Sequence, residues 1–341
     1  MFEKYVNGEE SFIIAEVGNN HQGSEDIAIE YVIKFAEAGA NAIKFQTRDN
    51  KYLFSPSGYN APYINENSFA DTYGAHREKL ELSKSSLLNI KKVCNENNVY
   101  FMSTPFDEPS VDLLSEIGVD LFKIASFDLG NAPLLSKISQ KNKPIVLSTG
   151  GGKLEHIDLS VNLLSQHNSD LAILHCVSEY PCDYSKLGLS TINQLKKMFP
   201  KYAIGNSDHF NGILSGPIAY MNGARVFEKH VTLNRSWKGT DHSFSLEIDG
   251  FRKFCRDIRR VPKMMIRKDE SDLGKEYVFQ KLGKSIVASI DINLGDVFSI
   301  RNLTGKIYDN EGIPIRESIK LLGKKSKRDI KKNELINLND F

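Results

Sequence analysis

Eight short apolar runs in this 341-residue chain carry polar side chains near their C-terminal ends. FIIAEVG (12–18) holds Glu16, AIKFQ (42–46) holds Lys44 and Gln46, and YFMSTPF (100–106) holds Thr104. LFKIAS (121–126) holds Lys123 and Ser126, PIVLSTG (144–150) holds Ser148, and LAILHCVSEYP (171–181) holds Ser178 and Tyr180. AIGNSDH (203–209) ends in Ser207 and His209, and RVFEKHVT (225–232) carries Glu228, Lys229 and His230 in its middle. Burying a single polar group without a partner is costly. The same bias in eight runs describes a ring that a ligand completes.

The residue types say what that ligand is. Lys44 and Lys123 would place two ammoniums at one mouth, which calls for an anion, and phosphate is the usual one. Thr104, Ser126, Ser148 and Ser207 add hydroxyl donors, so the set suits a small phosphorylated acid. His209 and His230 end neighbouring runs, and two neutral imidazoles suit a first-row divalent metal with positions left open for substrate. Glu16 is a candidate general base. Glu228 shares strand parity with His230 and should point inward beneath it, as a structural partner. Lys229 has the opposite parity and should face the outer layer, paired with a carboxylate. Asp241 and His242, in WKGTDHSFSLE (237–247), follow the last run and could join the site, with a loop role equally open to His242.

The elements that must position these groups alternate. Short β-branched runs are followed by amphipathic stretches such as IAIEYVIKFAEAGA (27–40), PSVDLLSEIGV (109–119) and STINQLKKMF (190–199). Eight β-α units in about 250 residues predict a (β/α)8 TIM barrel, whose strand C-termini share one mouth. A doubly wound open sheet is the alternative, but EVGNNHQG after the first strand is not the glycine fingerprint it would want. Residues 47–85 make one connection too long, and such a loop over a barrel mouth reads as a lid or substrate loop.

The barrel is expected over 1–262, a charged linker over 263–280, and a small all-β domain over 281–341. That tail holds a weak repeat: LGKSIVASIDINLGDVFSIRNL (282–303) resembles LGKKSKRDIKKNELINLNDF (322–341). The basic run KKSKRDIKK reads as a solvated strand and turn. A formal net charge of +1 points to neither nucleic acid nor a membrane surface. No apolar stretch is long enough to span a bilayer. MFEKYVNGEESF lacks a secretory pattern, and four cysteines without a C-x-x-C pair predict reduced thiols in the cytoplasm.

With those residues in hand, the chain resembles the sialic acid synthases over essentially its whole length. IAEVGNNHQG (14–23), AIKFQT (42–47), FKIASFD (122–128), NSDH (206–209) and FEKHVTL (227–233) are similar to that family's motifs in order and spacing. The tail is similar to its antifreeze-like (SAF) domain. The resemblance implies condensation of phosphoenolpyruvate with N-acetylmannosamine to a nine-carbon 2-keto acid and phosphate. It implies a divalent metal on His209 and His230, manganese first, with magnesium or cobalt as alternatives. Lys44, Thr104, Lys123, Ser126, Ser148, Ser178 and Ser207 would bind phosphoenolpyruvate. Gln46, Asp128, Tyr180 and Asp241 would hold the amino sugar, and Glu16 would handle the metal-bound water. A domain-swapped homodimer is implied as well.

Departures from the family pattern matter. Asp128 stands where many bacterial members have Glu, and Ser178 where they often have Asn. Ile307 falls near the place of an arginine that bacterial members use, with Arg316 close by. DTYGAHREKLELS (71–83) and SWKGTDHSFSLE (236–247) look like the animal branch, which uses the 6-phosphorylated sugar. Arg77 and His76 are then candidates for a second phosphate, against the plain reading of an exposed helix face. A legionaminate or pseudaminate precursor is the other sugar alternative. A non-catalytic carbohydrate-binding protein would show erosion of the ring, and none is seen. A metal hydrolase on the same fold would want more protein ligands, such as His-x-His, which is absent.

Overall fold

The computed structural model describes residues 1–167, 170–308 and 312–341. Positions 309–311, between Ile307 and Arg316, lie outside the described residues. The chain divides into two compact units, Met1–Met265 and Ile266–Phe341.

The first unit is a closed parallel barrel of eight strands in sequence order. They are β1 (Phe12–Gly18), β2 (Ala42–Thr47), β3 (Tyr100–Pro105), β4 (Leu121–Ile124), β5 (Ile145–Ser148), β6 (Leu171–Cys176), β7 (Ala203–Asp208) and β8 (Val226–His230). β1 closes the ring on β8, with Glu16 opposite His230. This is the TIM barrel expected from the alternating runs, with helices between the strands.

Strand parity sorts the side chains into layers. One parity faces the helices: Ile13, Ala15, Val17, Ile43, Phe45, Phe101, Phe122, Ile124, Ile145 and Leu147 join the apolar shell between strands and helices. The other parity fills the barrel. Its lower layer is apolar, from Phe12, Ile14, Ala42, Met102, Leu121, Val146, Leu174 and Val226. Phe2 and Tyr5, on the helical turn Phe2–Tyr5, plug that end, with ring centroids 5.7 and 5.8 Å from Phe12. Above the apolar layer the same parity delivers Glu16, Lys44, Thr104, Lys123, Ser148, Ser207 and Glu228. A single sequence pattern, read two residues at a time, therefore builds both a dry floor and a polar mouth.

The helices start and stop where the side chains dictate. Helix Glu108–Ile117 is capped by Asp107, whose Oδ1 accepts from the Ser110 amide at 2.8 Å. It ends at Gly118 with φ +75, a conformation that a Cβ would disfavour. The long connection after β2 folds into the short helices Asn50–Leu53, Pro56–Tyr59 and Tyr73–Glu78 before helix Lys84–Glu96. The last barrel helix runs from Ile248 to Met264 and carries Pro262 inside it, so the first unit ends at Met265. Residues 266–283 hold only the helical turn Glu270–Asp272 and helix Tyr277–Leu282.

The second unit, among its described residues, pairs β9 (Lys284–Ala288) antiparallel with β10 (Leu303–Ile307). Its core gathers Ile286, Ala288, Ile292, Phe298, Leu321, Ile330 and Ile336. The sequence repeat becomes a two-fold pseudosymmetry. Ile292 and Ile330 exchange both backbone hydrogen bonds, at 2.9 and 2.8 Å. Asp291 Oδ1 accepts from the Lys332 amide at 2.8 Å, while Asp329 Oδ1 accepts from the Leu294 amide at 2.7 Å. Gly295 donates to Ser326 and Asn333 donates to Ala288, the same bond made from each repeat to the other.

Candidate functional site

The polar mouth opens into a cavity of about 480 Å3. Of the residues expected there, Glu16, Lys44, Gln46, Thr104, Lys123 and Ser126 line it. So do Ser148, Tyr180, Ser207, His209, His230 and Asp241. Ser178 and Asp128 do not line this cavity. Ser178 is exposed and borders a neighbouring shallow hollow with Gly150 and His156. Asp128 accepts from the Asn131 side-chain amide at 2.9 Å, on the helical turn after β4. Both lie past the strand ends, as do Ser126, Tyr180, His209 and Asp241, so strand parity does not decide which of these line the cavity. His242 also stays off the lining. It is buried, with Nδ1 2.8 Å from the Thr232 hydroxyl.

The floor is an ionic network. Lys44 Nζ lies 2.8 Å from Glu16 Oε2 and 3.7 Å from Glu228 Oε2, and donates to the Thr104 hydroxyl at 3.1 Å. Lys123 is held more loosely: Glu228 Oε1 is 3.8 Å away, and Nζ donates to the Ile124 carbonyl at 3.0 Å. Ser207 donates to Glu228 Oε1 at 2.9 Å, and Gln46 donates to Glu16 Oε1 at 2.8 Å. Glu228, anticipated as a structural partner, is the counter-charge that lets two lysines share one floor.

Protonation follows from this arrangement. Burial pushes the Glu16 carboxyl above its ordinary range, opposed by Lys44 and reinforced by Glu228. Burial works against charge on Glu228 too, but Lys123 and Lys44 overcome it and hold that carboxyl well below the usual range. Burial depresses Lys123, with Glu228 only partly compensating. An ammonium with spare donors and a depressed pKa is a site that an incoming anion would stabilise. Next to it, the Ser148 hydroxyl is buried without a partner. Ser126 Oγ accepts from the Gly150 amide at 3.0 Å. A Cβ at Gly150 would come within 2.4 Å of Ser178 Oγ and 2.9 Å of Ser126 Oγ, so glycine lets the backbone approach these hydroxyls.

The two imidazoles stand above Glu228. Their ring centroids are 5.3 Å apart, and Tyr180 packs against both, at 4.0 Å from His209 and 6.0 Å from His230. His209 Nδ1 lies 2.7 Å from the Val177 carbonyl. A carbonyl only accepts, so Nδ1 carries the proton; burial works against charge on this ring, but the Cys176 thiol and the Val177 carbonyl outweigh it and raise the His209 pKa. His230 Nδ1 is buried without a hydrogen bond, with Asp241 Oδ2 3.7 Å away. Burial drops the His230 pKa to about 3, so this ring is neutral at physiological pH. A free, buried ring nitrogen fits a metal ligand. Among the described residues no group of three or more His, Cys, Asp or Glu is placed to hold a metal, so two imidazoles are what these residues offer.

The imidazoles are fixed from behind. Lys229 faces outward, as its parity requires, and its Nζ is 2.6 Å from Asp208 Oδ2, both side chains being 1% exposed. Lys229 also donates to the Phe210 carbonyl, and Asp208 accepts from the Phe210 amide at 2.9 Å and from the Ser215 hydroxyl at 2.5 Å. This brace ties the end of β7 to β8 immediately beside both histidines.

Sequence reasoning missed several lining residues. Arg48 lies two positions past Gln46, so the parity of β2 could have found it. Cys176 occupies the inward position of β6, opposite Ser207. Phe106, Asn67 and Thr240 come from loops and Phe127 from the helical turn after β4, and none carried a signal. Arg77 does line the cavity, whereas His76 is buried behind it, its Nδ1 accepting from the Phe69 amide at 3.1 Å.

Comparison with known proteins places this geometry. The profile of the NeuB family matches residues 31–270. N-acetylneuraminate-9-phosphate synthase of Homo sapiens is 34% identical over 94% of this chain and 90% of its own. N,N'-diacetyllegionaminic acid synthase of Campylobacter jejuni is 37% identical over 96% of this chain and 98% of its own. The crystal structure of an N-acetylneuraminic acid synthetase from Leptospira borgpetersenii, solved with citrate, aligns with a TM-score of 0.70 at 32% identity. It covers 79% of this chain and 91% of that one. The chain belongs to the NeuB family, among whose members are sialic acid synthases.

Proposed function

We propose that this protein condenses phosphoenolpyruvate with an open-chain N-acetylated amino sugar of the N-acetylmannosamine type, giving a nine-carbon 2-keto acid and inorganic phosphate. The observation that carries the reading is the anion-ready wall of the floor: Lys123 with spare donors beside the unpartnered Ser148 hydroxyl. Lys44, Thr104 and Ser126 complete a set of donors sized for a small phosphorylated acid.

His209 and His230 would hold a divalent metal, manganese first, which would supply Lewis-acid polarisation of the sugar aldehyde. The protein's own groups do the rest. Lys44 and Lys123 hold the phosphoenolpyruvate anion while its methylene carbon bonds to the aldehyde carbon. Glu16, raised by burial, accepts a proton from the water that adds at C2 of the enol-derived cation. The C–O bond to phosphate then breaks, the electron pair leaves with the phosphate, the C2 hydroxyl gives its proton to the departing phosphate and becomes the keto oxygen, and the lysines neutralise the phosphate charge. Gln46, Tyr180 and Asp241 orient the sugar. The relatives' names also support a second sugar reading, a diacetamido precursor of legionaminate or pseudaminate.

The small second unit is read as an antifreeze-like SAF domain and the molecule as a swapped homodimer acting in the cytoplasm. No helix among the described residues is long and apolar enough to cross a membrane.

The test is inorganic phosphate release from phosphoenolpyruvate with manganese. N-acetylmannosamine, its 6-phosphate and a diacetamido hexose run side by side with chelator controls. Chelator-sensitive release with one sugar is expected. His230→Ala should abolish it and lose manganese binding while leaving the circular dichroism spectrum unchanged. Silence with every sugar, or full turnover of metal-free protein, would sink the reading and favour a carbohydrate-binding protein.

A further inference from the structure

Lys44, Gln46 and Arg48 take alternate positions along β2 and its end, each step roughly 6–7 Å of strand rise. Lys44 sits at the floor of the cavity, Arg48 two steps nearer the mouth, and Gln46 between them. The Gln46 amide nitrogen donates to Glu16 Oε1 at 2.8 Å, and its carbonyl oxygen accepts from Arg48 Nη2 at 2.5 Å. The other Glu16 oxygen, Oε2, lies 2.8 Å from Lys44 Nζ. Both oxygens of Glu16 are therefore held, one by a cation and one by an amide with a cation behind it.

Arg48 is itself fixed on three sides. Its side chain is only 7% exposed. Its guanidinium stacks on the Phe106 ring at 3.8 Å from the centroid. Glu81 Oε2 accepts from the Arg48 backbone amide at 3.1 Å, and Glu81 Oε1 lies 3.5 Å from Nη1. The chain on either side is pinned as well. The Phe106 amide donates to the Thr47 carbonyl at 3.2 Å, and the Asp49 amide donates to Asp107 Oδ2 at 2.8 Å. Burial, and then the charge of Arg77, pull the Arg48 pKa down to about 10, which still leaves it a cation at neutral pH.

The two ends of a carboxamide have nearly the same shape but opposite hydrogen-bonding character. A guanidinium only donates and a carboxylate only accepts. Between them the Gln46 amide satisfies both neighbours in a single orientation, oxygen to Arg48 and nitrogen to Glu16. The flipped amide would set N–H against N–H and oxygen against oxygen. Without Arg48 the carbonyl end loses its partner, and the amide is free to swing away from Glu16.

We propose that Arg48 is a positioning residue: by locking the Gln46 amide it fixes the direction in which the Glu16 carboxylate is presented, and it acts through Gln46 rather than on the substrate. The inference rests on the condensation reading for the role of Glu16.

A double-mutant cycle on turnover separates action through Gln46 from a direct contact. Arg48→Met should lower kcat roughly ten- to a hundredfold, the scale of a misplaced catalytic group. KM for phosphoenolpyruvate should stay within about twofold, because the anion is held elsewhere. In a Gln46→Met background the same change should cost no more than about twofold. Losses that multiply overturn the proposal, because Arg48 would then act independently of Gln46. Parental kcat in Arg48→Met overturns it, and so does a loss seen only as a higher KM for phosphoenolpyruvate. Should Arg48→Met fail to fold, Arg48→Lys, which keeps one donor, is carried through the same cycle with a smaller loss expected. The contact is read separately on the free protein, from the side-chain amide proton resonances of Gln46, assigned by their absence in Gln46→Met. Two distinct, slowly exchanging signals are expected in the parent, averaged or lost in the Arg48 variant while the backbone spectrum stays folded. Signals that the Arg48 variant leaves unmoved overturn the proposal whatever kcat does. Absence of turnover with every sugar, beside amide signals that respond as expected, would sink the condensation reading and leave the Arg48–Gln46–Glu16 lock standing.

Discussion

Ser148 shows how one side chain can report on an absent partner. Its hydroxyl is 2% exposed as a residue and makes no hydrogen bond. A buried hydroxyl left unpaired costs about 1–3 kcal/mol, so the free protein gains nothing from it. Ser148→Ala should therefore leave the urea midpoint unchanged or raise stability by up to ~1 kcal/mol. The same change should raise KM for phosphoenolpyruvate roughly tenfold. An unchanged KM would mean that this hydroxyl does not touch the anion. At this scale the sequence was most legible where strand parity applied. Glu16, Lys44, Lys123, Ser148, Ser207 and His230 all sit on inward positions of their runs, and all reach the cavity. Arg48 obeys the same parity but lies just past the apolar run, and so escaped notice. Asp128 was assigned by family resemblance alone and Ser178 also from its place at the end of the sixth run, and neither lines the cavity.

Between neighbouring strands, the interrupted sequence FEKH has a mechanical meaning. Its alternate residues divide the work: Glu228 and His230 turn inward, and Lys229 turns out to meet Asp208. The residue before each histidine is thus half of a buried ion pair that joins β7 to β8. Removing one member of a buried pair leaves the other charged and unsolvated, which costs about 3–5 kcal/mol. Lys229→Met should destabilise the protein by about that amount in urea denaturation. It should also weaken manganese binding, because β7 and β8 lose their fixed spacing. Lys229→Met combined with Asp208→Asn should recover part of the stability, since no uncompensated charge remains. If the single variant were as stable as the parent, the brace would have no structural weight. The barrel strands themselves were legible to within a few residues, because a buried parallel strand is an apolar run bounded by turns. The connection 47–85 was less so. Its three short helices lack a long periodic face, and what holds them is aromatic packing among Tyr63, Tyr73 and His76 that no local pattern announces.

Over the whole molecule, the two units solve the problem of a core in different ways, and both solutions were partly visible in the chain. The barrel uses eight repeats of one supersecondary unit. The small unit uses two copies of a shorter one, so that Ile292 and Phe298 recur as Ile330 and Ile336 in a single core. The barrel also buries histidines away from the proposed metal. His21, His76 and His242 are 1%, 3% and 1% exposed. Burial lowers His21 to about 3, and lowers His76 and His242 to about 4. In the unfolded chain an imidazole titrates near 6.5. Above that pH both states are neutral and stability is unaffected. As pH falls below about 6.5 the unfolded chain takes up protons that the folded one refuses, so stability is lost, fully so by about pH 3–4. Each such imidazole contributes up to ~1.4 kcal/mol per pH unit in that window. The raised carboxyls of Glu16, Glu81, Asp107 and Asp128 act in the opposite sense, by keeping protons in the folded state. Near pH 6 the unfolded imidazoles are mostly protonated, so the net sign there follows the histidines. Urea midpoints of chelator-treated protein should fall between pH 7 and pH 5.5, while the proton resonances of these three rings stay fixed over the same range. A midpoint that held or rose, or rings that titrated near 6.5 in the folded state, would show that these histidines are not held neutral by the fold.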